Sequence, residues 1–107
     1  MKRKAKDLPE CPVATTVQLV GSKWKLLIIR NLMARPWRFN ELQRSLGATQ
    51  KSLTDALRSL EEDGLVARKV YPEIPPKVEY SMTELGKSLW PTIEAMKKFG
   101  EYYKEQL

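Results

Sequence analysis

One segment near the middle of the chain constrains the fold most, because it carries a start signal and a stop signal for a single helix. Thr49 can cap the first turn, since its hydroxyl can accept a hydrogen bond from a free backbone amide. Gly64 can adopt the left-handed conformation that ends a helix, and Leu65 then follows Leu60 at the spacing of a Schellman stop. The stripe between these signals is Leu53, Leu57 and Leu60. The pattern predicts a helix over residues 50–63 with one buried face.

The segment after this helix alternates apolar and polar residues with the period of a β-strand, yet it contains Pro72, Pro75 and Pro76. Proline cannot donate to a β-ladder, so the prolines must lie outside the paired strands. Strands over residues 66–71 and 78–82, joined by a proline-stiffened tip, satisfy both observations. The segment therefore predicts a β-hairpin.

A shorter helix is predicted before this pair, over residues 39–46, with Phe39, Leu42 and Leu46 facing inward. Gly47 follows it in a tight turn. Two helices joined by such a turn are typical of a helix-turn-helix, and a hairpin directly after them makes a winged helix. In such folds the second helix enters the DNA major groove.

The residues before this unit predict two further helices. Pro12 follows Cys11 at the start of a first helix that ends near Gly21, because proline is favoured at the first helical position. Ser22 can cap a second helix over residues 23–33. The predicted buried stripe of the second helix is Trp24, Leu27, Ile28 and Leu32.

The residues after the hairpin predict one long helix over 84–106, capped by Thr83, with either a kink or one missing hydrogen bond at Pro91. Residues 1–10 show no apolar periodicity and are predicted to be a flexible basic arm. The expected fold is mainly α with a small β-hairpin wing (α+β). It is a single winged helix-turn-helix domain over residues 11–107, with an added N-terminal helix and a long C-terminal helix.

The composition argues against several classes of function. The chain has no histidine and one cysteine, so it can form neither a Cys/His zinc site nor a histidine-based catalytic triad. The five glycines are scattered and form no phosphate loop. We therefore expect no enzymatic activity and no cofactor. No apolar segment approaches the roughly 20 residues of a membrane span, and we expect no membrane partner. A single cysteine and the absence of a secretory signal favour the cytoplasm.

Positive charge is concentrated in the first half of the chain. The net charge is +6, and residues 1–58 hold 12 Lys and Arg against 4 Asp and Glu, whereas residues 59–107 hold 7 against 9. A basic front with a mildly acidic rear indicates a polyanion partner on one side of the molecule. A generic basic surface is the competing interpretation.

Five segments together resemble a known family. They are CPV at 11–13, GSKWKLLIIRNL at 21–32, RFNEL at 38–42, LRSLEEDGLVAR at 57–68 and YPEIPPKVEYSMTELGKSL at 71–89. These segments resemble the HxlR family of bacterial and archaeal winged-helix transcription regulators. The resemblance implies a double-stranded DNA-binding homodimer with its first and last helices at the dimer interface.

Candidate DNA contacts follow from the residues that lie off the leucine stripe of helix 50–63. Gln, Arg and Lys can read base edges in the major groove, and serine can contact phosphate. The candidates are Gln50, Lys51, Ser52, Thr54 and Arg58 on this helix, Arg38 and Arg44 beside the preceding helix, and Lys69 and Lys77 on the wing. Asp55 is expected to hold Lys51 or Arg58 in place. Arg68 lies on the same face of the predicted strand as Val66 and Val70, which favours a structural role for its side chain. A solvated helix face and surface salt bridges are the alternatives.

The N-terminal arm offers a further set of cations, which are Lys2, Arg3, Lys4 and Lys6. Such an arm can track the minor groove, although a solvated tail is the alternative.

Cys11 is a candidate redox sensor because a helix N-terminus favours the reactive thiolate. In redox-sensing members of the resembled family, a cysteine in this CPV position is the sensor. Its thiol would be oxidised to a sulfenic acid, or it would form a disulfide with the other subunit. A small, packed apolar residue is the competing interpretation.

The last helix has an apolar stripe too long for a core of this size to cover, which indicates pairing with a second subunit. The predicted interface is Trp90, Ile93, Met96, Phe99 and Tyr103, joined by Val13 and Val17 of the first helix through the resemblance. Two-fold symmetry would match a pseudo-palindromic operator. A small molecule in this interface, or an oxidant, could act as effector. The alternative function is a winged-helix module for protein contact.

Overall fold

The computed structural model describes residues 7–107 as a helical domain with a small sheet, so the arm cations Lys2, Arg3, Lys4 and Lys6 lie outside the described residues. In chain order the elements are α1 Pro12–Val20, α2 Lys23–Ala34, β1 Trp37–Arg38, α3 Phe39–Leu46, α4 Gln50–Glu62, β2 Val66–Tyr71, β3 Lys77–Met82, α5 Glu84–Lys87 and α6 Trp90–Glu105. This order confirms the winged helix-turn-helix. No helix among the described residues combines the length and apolar character that a membrane crossing requires.

Three predicted helix caps are present, each formed by a hydroxyl that accepts a backbone amide. The bonds are Lys25 N to Ser22 Oγ at 3.2 Å, Ser52 N to Thr49 Oγ1 at 3.1 Å and Gly86 N to Thr83 Oγ1 at 3.0 Å. Each bond satisfies an amide that would otherwise have no partner inside the helix. The starts of α2, α4 and α5 are therefore encoded locally.

The end of α4 is a Schellman stop, as predicted. Gly64 has a φ of +78°, which is the left-handed region that glycine adopts without strain. Its amide donates to the Glu61 carbonyl, and the Leu65 amide donates to the Leu60 carbonyl, both at 3.0 Å. The chain therefore reverses at once, and β2 begins two residues after Gly64.

The sheet has three antiparallel strands in the order β1-β3-β2, and β1 was not predicted. Trp37 pairs with Tyr80, and Arg38 pairs with Glu79. The indole Nε1 of Trp37 donates to the Asn31 carbonyl at 2.9 Å, which anchors the start of this strand to α2. A two-residue strand is too short to show alternation, so the sequence carried no signal for it.

The core lies where α2, α3 and α4 meet the sheet. Its fully buried side chains are Ile28, Ile29, Leu42, Leu53, Leu57, Leu60 and Val66. The predicted stripe of α4 is confirmed, but that of α2 was partly wrong, because Ile29 is buried whereas Leu27 and Trp24 are only partly covered. Helix α2 packs against both α4 and the sheet, and its buried face is therefore wider than a single stripe.

The single long C-terminal helix predicted over residues 84–106 was wrong. Helix α5 ends at Lys87, and α6 begins at Trp90, with Pro91 in its first turn. Proline lacks the amide hydrogen, and its ring would clash with the carbonyl four residues earlier, so the helix breaks and restarts at this point rather than kinking. The break lets α5 pack on the α4–β2 turn, where Thr83 Oγ1 donates to the Gly64 carbonyl at 2.7 Å.

Candidate nucleic-acid interface

Helix α4 divides into a buried face and an open face. Its leucines lie in the core, while Gln50, Lys51 and Arg58 are exposed and Thr54 is partly exposed. The helix is 13 residues long, or about 20 Å, and both of its ends are held by the bonds described above. The open face is therefore a surface with fixed ends that carries two cations, the carboxylate of Asp55 and two uncharged hydrogen-bonding groups.

Lys51 and Asp55 form an ion pair along this face, one helical turn apart. Lys51 Nζ donates to Asp55 Oδ2 at 3.0 Å, as the sequence indicated for Asp55. Ser52, predicted as a phosphate contact, is partly buried and accepts a hydrogen bond from Thr49 Oγ1 at 2.9 Å. Ser52 thus belongs to the helix cap as an acceptor, and this bond does not use the hydroxyl hydrogen with which it would contact a phosphate.

Arg68 of β2 lies beside the open face of α4, which differs from its predicted structural role. A cavity of about 340 Å³ between the two elements is lined by Thr54, Arg58, Glu61, Arg68 and Tyr80, among others. Arg68 shares the inner face of the hairpin with Val66, but β2 rises out of the core after that residue, and Arg68 is exposed. Strand position alone could not show how far the core extends along the hairpin.

The two predicted wing lysines gather around one aromatic ring. Lys69 Nζ lies 4.8 Å and Lys77 Nζ 4.6 Å from the ring centroid of Tyr71, which are cation–π distances. The Tyr71 hydroxyl donates to Glu79 Oε1 at 3.3 Å, and Lys77 Nζ lies 3.8 Å from Glu79 Oε2. Lys77 is also half-buried, so part of its charge is balanced within the wing, whereas Lys69 is exposed.

Arg38 and Arg44 lie at opposite ends of α3, and both are exposed. The Arg38 amide donates to Glu41 Oε1 at 2.9 Å, and this bond is the main reason that the pKa of Glu41 is lowered. The Arg35 guanidinium, 3.7 Å from Glu41 Oε1, lowers the pKa further. Arg38 also faces the wing tip across a groove, which is lined by Asn40, Pro75, Pro76 and Lys77 among others.

Cys11 is exposed and precedes the first residue of α1. Its carbonyl accepts the Thr15 amide at 3.0 Å, and its side chain makes no cap hydrogen bond. The packed apolar role considered for this residue is therefore wrong in this subunit. The thiol lies at the start of α1, the helix that carries the exposed side chains of Val13 and Val17.

The residues predicted for a dimer interface are mostly uncovered within one subunit. Helix α6 has no buried residue, and Val13, Val17, Trp90, Met96, Phe99 and Tyr103 are all exposed. Ile93 is the exception, because it is partly buried against the core of its own chain. A cleft of about 530 Å³ separates α6 from α2, with Leu27, Met33, Trp90, Ile93 and Met96 among its apolar walls.

Comparisons with known proteins agree with this geometry. The family model for the HxlR-like helix-turn-helix matches residues 19–107. An uncharacterized HTH-type transcriptional regulator of Bacillus subtilis (strain 168), YdeP, is 46% identical over 102 residues, which are 94% of this chain and 80% of YdeP.

Solved structures are similar over most of their length. The redox regulator HypR in its oxidized form has a TM-score of 0.81 at 46% identity, covering 86% of this chain and 96% of HypR. The reduced form of the transcriptional regulator YodB from B. subtilis has a TM-score of 0.78 at 35% identity, covering 92% of this chain and 99% of YodB. The chain therefore belongs to the HxlR-like helix-turn-helix family, whose named relatives are transcriptional regulators.

Proposed function

We propose that this chain is a transcriptional regulator that binds a specific double-stranded DNA sequence in the cytoplasm, with α4 in the major groove. The observation that supports this most is the division of α4, whose apolar side is fully buried and whose open side presents Gln50, Lys51 and Arg58. Glutamine can pair with adenine and arginine or lysine with guanine through groove edges. The N-terminal residues of such a helix usually reach the bases.

The cations around α4 would hold the DNA backbone. Arg38 and Arg44 lie at the two ends of α3, and Arg68 and Lys69 are exposed on β2. Backbone contacts position a protein on the duplex, while base contacts on α4 would specify the sequence. Lys77 would contribute less than its sequence position suggested, because Glu79 and Tyr71 already engage its ammonium group.

The protein would act as a homodimer. An uncovered apolar face on α6, with further apolar side chains on α1, is the surface expected of a subunit interface and not of a monomer. Closed two-fold symmetry would place two copies of α4 about 34 Å apart, matching a pseudo-palindromic operator.

Selection of bound sequences from random duplex DNA tests the main proposal. We expect an enriched pseudo-palindromic motif and an affinity that falls steeply with salt, because phosphate contacts release counterions. If no motif is enriched, a winged-helix module for protein contact becomes the better explanation, with α6 as its binding surface.

Cys11 would make DNA binding responsive to oxidants. Its exposed thiol beside the proposed interface, and the similarity to HypR, support this proposal. A peroxide would oxidise the thiolate to sulfenic acid with release of an alcohol or water. Cys11 of a second subunit would then displace water to form an intersubunit disulfide.

The redox proposal is tested by measuring DNA affinity before and after treatment with a mild peroxide. We expect the affinity of the wild type to change, together with a dimer that resists denaturation without reductant, and no change in Cys11→Ser. Equal responses of the two proteins would exclude Cys11 as a sensor.

A further inference from the structure

Ile74 at the tip of the wing is fully exposed, with a relative solvent accessibility of 102%. Isoleucine usually lies in a core. The tip reads Pro-Glu-Ile-Pro-Pro over residues 72–76. We propose that Ile74 is an apolar wedge that enters the DNA minor groove next to the site of α4 and partly unstacks a base step. This inference rests on the proposed DNA-binding function.

The wing brings this tip beside the start of α3, the first helix of the helix-turn-helix. After the tight turn at Gly64, β2 returns past α4, so that Arg68 and Arg58 line one cavity. Further along the hairpin, Ile74, Pro75 and Pro76 line a groove together with Arg38 and Asn40 at the start of α3. The tip therefore lies next to the helix-turn-helix, where DNA bound by α4 would pass.

The distribution of charge indicates that the tip does not bind phosphate. Residues 72–76 contain no cation, and Glu73 would be repelled by the backbone of DNA. The wing cations lie further down the hairpin, around Tyr71. The exposed Arg38 lines the groove at the base of the tip, where it would hold a phosphate beside an inserted side chain.

The physical properties of the tip suit a wedge. Minor-groove proteins insert isoleucine, leucine, phenylalanine or proline between base steps, and flexible pyrimidine–purine steps open most easily. Three prolines restrict the backbone around Ile74, so that little conformational freedom would be lost on insertion. Removal of the exposed side chain from water would favour binding.

The test uses the duplex recovered by selection with the wild-type protein, with 2-aminopurine placed in turn at each step flanking the motif. Wild type should raise the fluorescence of the probe at one flanking step in each half-site, which reports unstacking. Ile74→Ala should lose this signal and bind roughly tenfold more weakly with the salt slope unchanged. Ile74→Leu should retain both the signal and the affinity.

Ile74→Lys is the matched control, because it adds a cation at the same place. It should steepen the salt dependence without restoring the fluorescence signal. The inference is overturned if wild type causes no unstacking, or if Ile74→Ala binds like wild type. It is also overturned if Ile74→Ala changes the oligomeric mass, since the tip would then be a protein contact. Failure to recover any duplex would reject the proposed function as well, whereas the other outcomes leave that function intact.

Discussion

On the open face of α4, the ammonium group of Lys51 lies 3.0 Å from the carboxylate of Asp55. Both side chains are largely exposed, so the ion pair contributes little to the stability of the fold. Its main effect would be on the affinity for DNA. The carboxylate holds the lysine in one orientation, but in the proposed complex it would also place a negative charge near the phosphates.

Lys51→Ala is expected to weaken DNA binding and to reduce the salt slope by about one per subunit, because one cationic contact is lost. Asp55→Asn should instead strengthen binding several-fold, since it removes a repulsive charge while keeping the shape of the side chain. Titrations of the selected duplex at four salt concentrations would measure both effects. Weaker binding by Asp55→Asn would mean that orientation of Lys51 matters more than repulsion.

Phe99→Glu is expected to dissociate the proposed homodimer. The Phe99 and Tyr103 rings lie side by side on α6, with centroids 6.3 Å apart, and both are exposed in the subunit. A carboxylate buried at a subunit interface would lack a partner and oppose association. Sedimentation at micromolar protein should therefore show a monomer.

Lys98→Glu introduces the same residue on the neighbouring polar side of α6 and serves as the control for Phe99→Glu. It should leave the dimer intact. A dimeric Phe99→Glu protein would place the interface elsewhere.

Gly86 and Gly100 should respond oppositely to alanine. A Cβ on Gly86 would collide with the backbone carbonyl of Leu65, because α5 packs tightly on the turn after α4. Gly86→Ala should lower the free energy of unfolding by about 3 kcal/mol or more. A Cβ on Gly100 of α6 would meet no atom within 4 Å. Gly100→Ala should therefore raise the free energy of unfolding by roughly 0.5–1 kcal/mol. Urea unfolding of the two variants measures the contrast, and equal effects would contradict the packing described.

Glu41 should make the start of α3 sensitive to acid. The hydrogen bond from the Arg38 amide lowers the pKa of the Glu41 carboxyl in the folded chain. The carboxylate therefore stabilises the protein at a pH above its unfolded pKa of about 4.3, and this contribution is lost as the pH falls through the lower folded value. The difference in urea midpoint between wild type and Glu41→Gln should be present at neutral pH and vanish in acid. A difference that does not depend on pH would argue against the bond.

Much of the fold could be predicted because its signals are local. The caps at Ser22, Thr49 and Thr83 depend on residues three positions apart, and the stop at Gly64 depends on the left-handed conformation of one residue. The exposed and buried faces of α4 follow from helical periodicity alone. The candidate residues Gln50, Lys51 and Arg58 could therefore be named in advance.

The rest depended on contacts between distant segments. The antiparallel pairing of β1 with β3, the clustering of Lys69 and Lys77 around Tyr71 and the ion pair of Lys77 with Glu79 all join separate segments, and no pattern within one strand reveals them. Pro91 signalled a disturbance in the last helix, but the packing of α5 on Leu65 accompanies a complete break there.

The sequence by itself thus determined where α4 begins, where it ends and which side it exposes, because hydrogen bonds and periodicity within about 15 residues settle these points. The tertiary structure alone decided which cations stand beside that helix. Arg68 faces it because a tight turn sends β2 back along α4, and Lys77 is half-buried because Tyr71 and Glu79 of the hairpin lie against it.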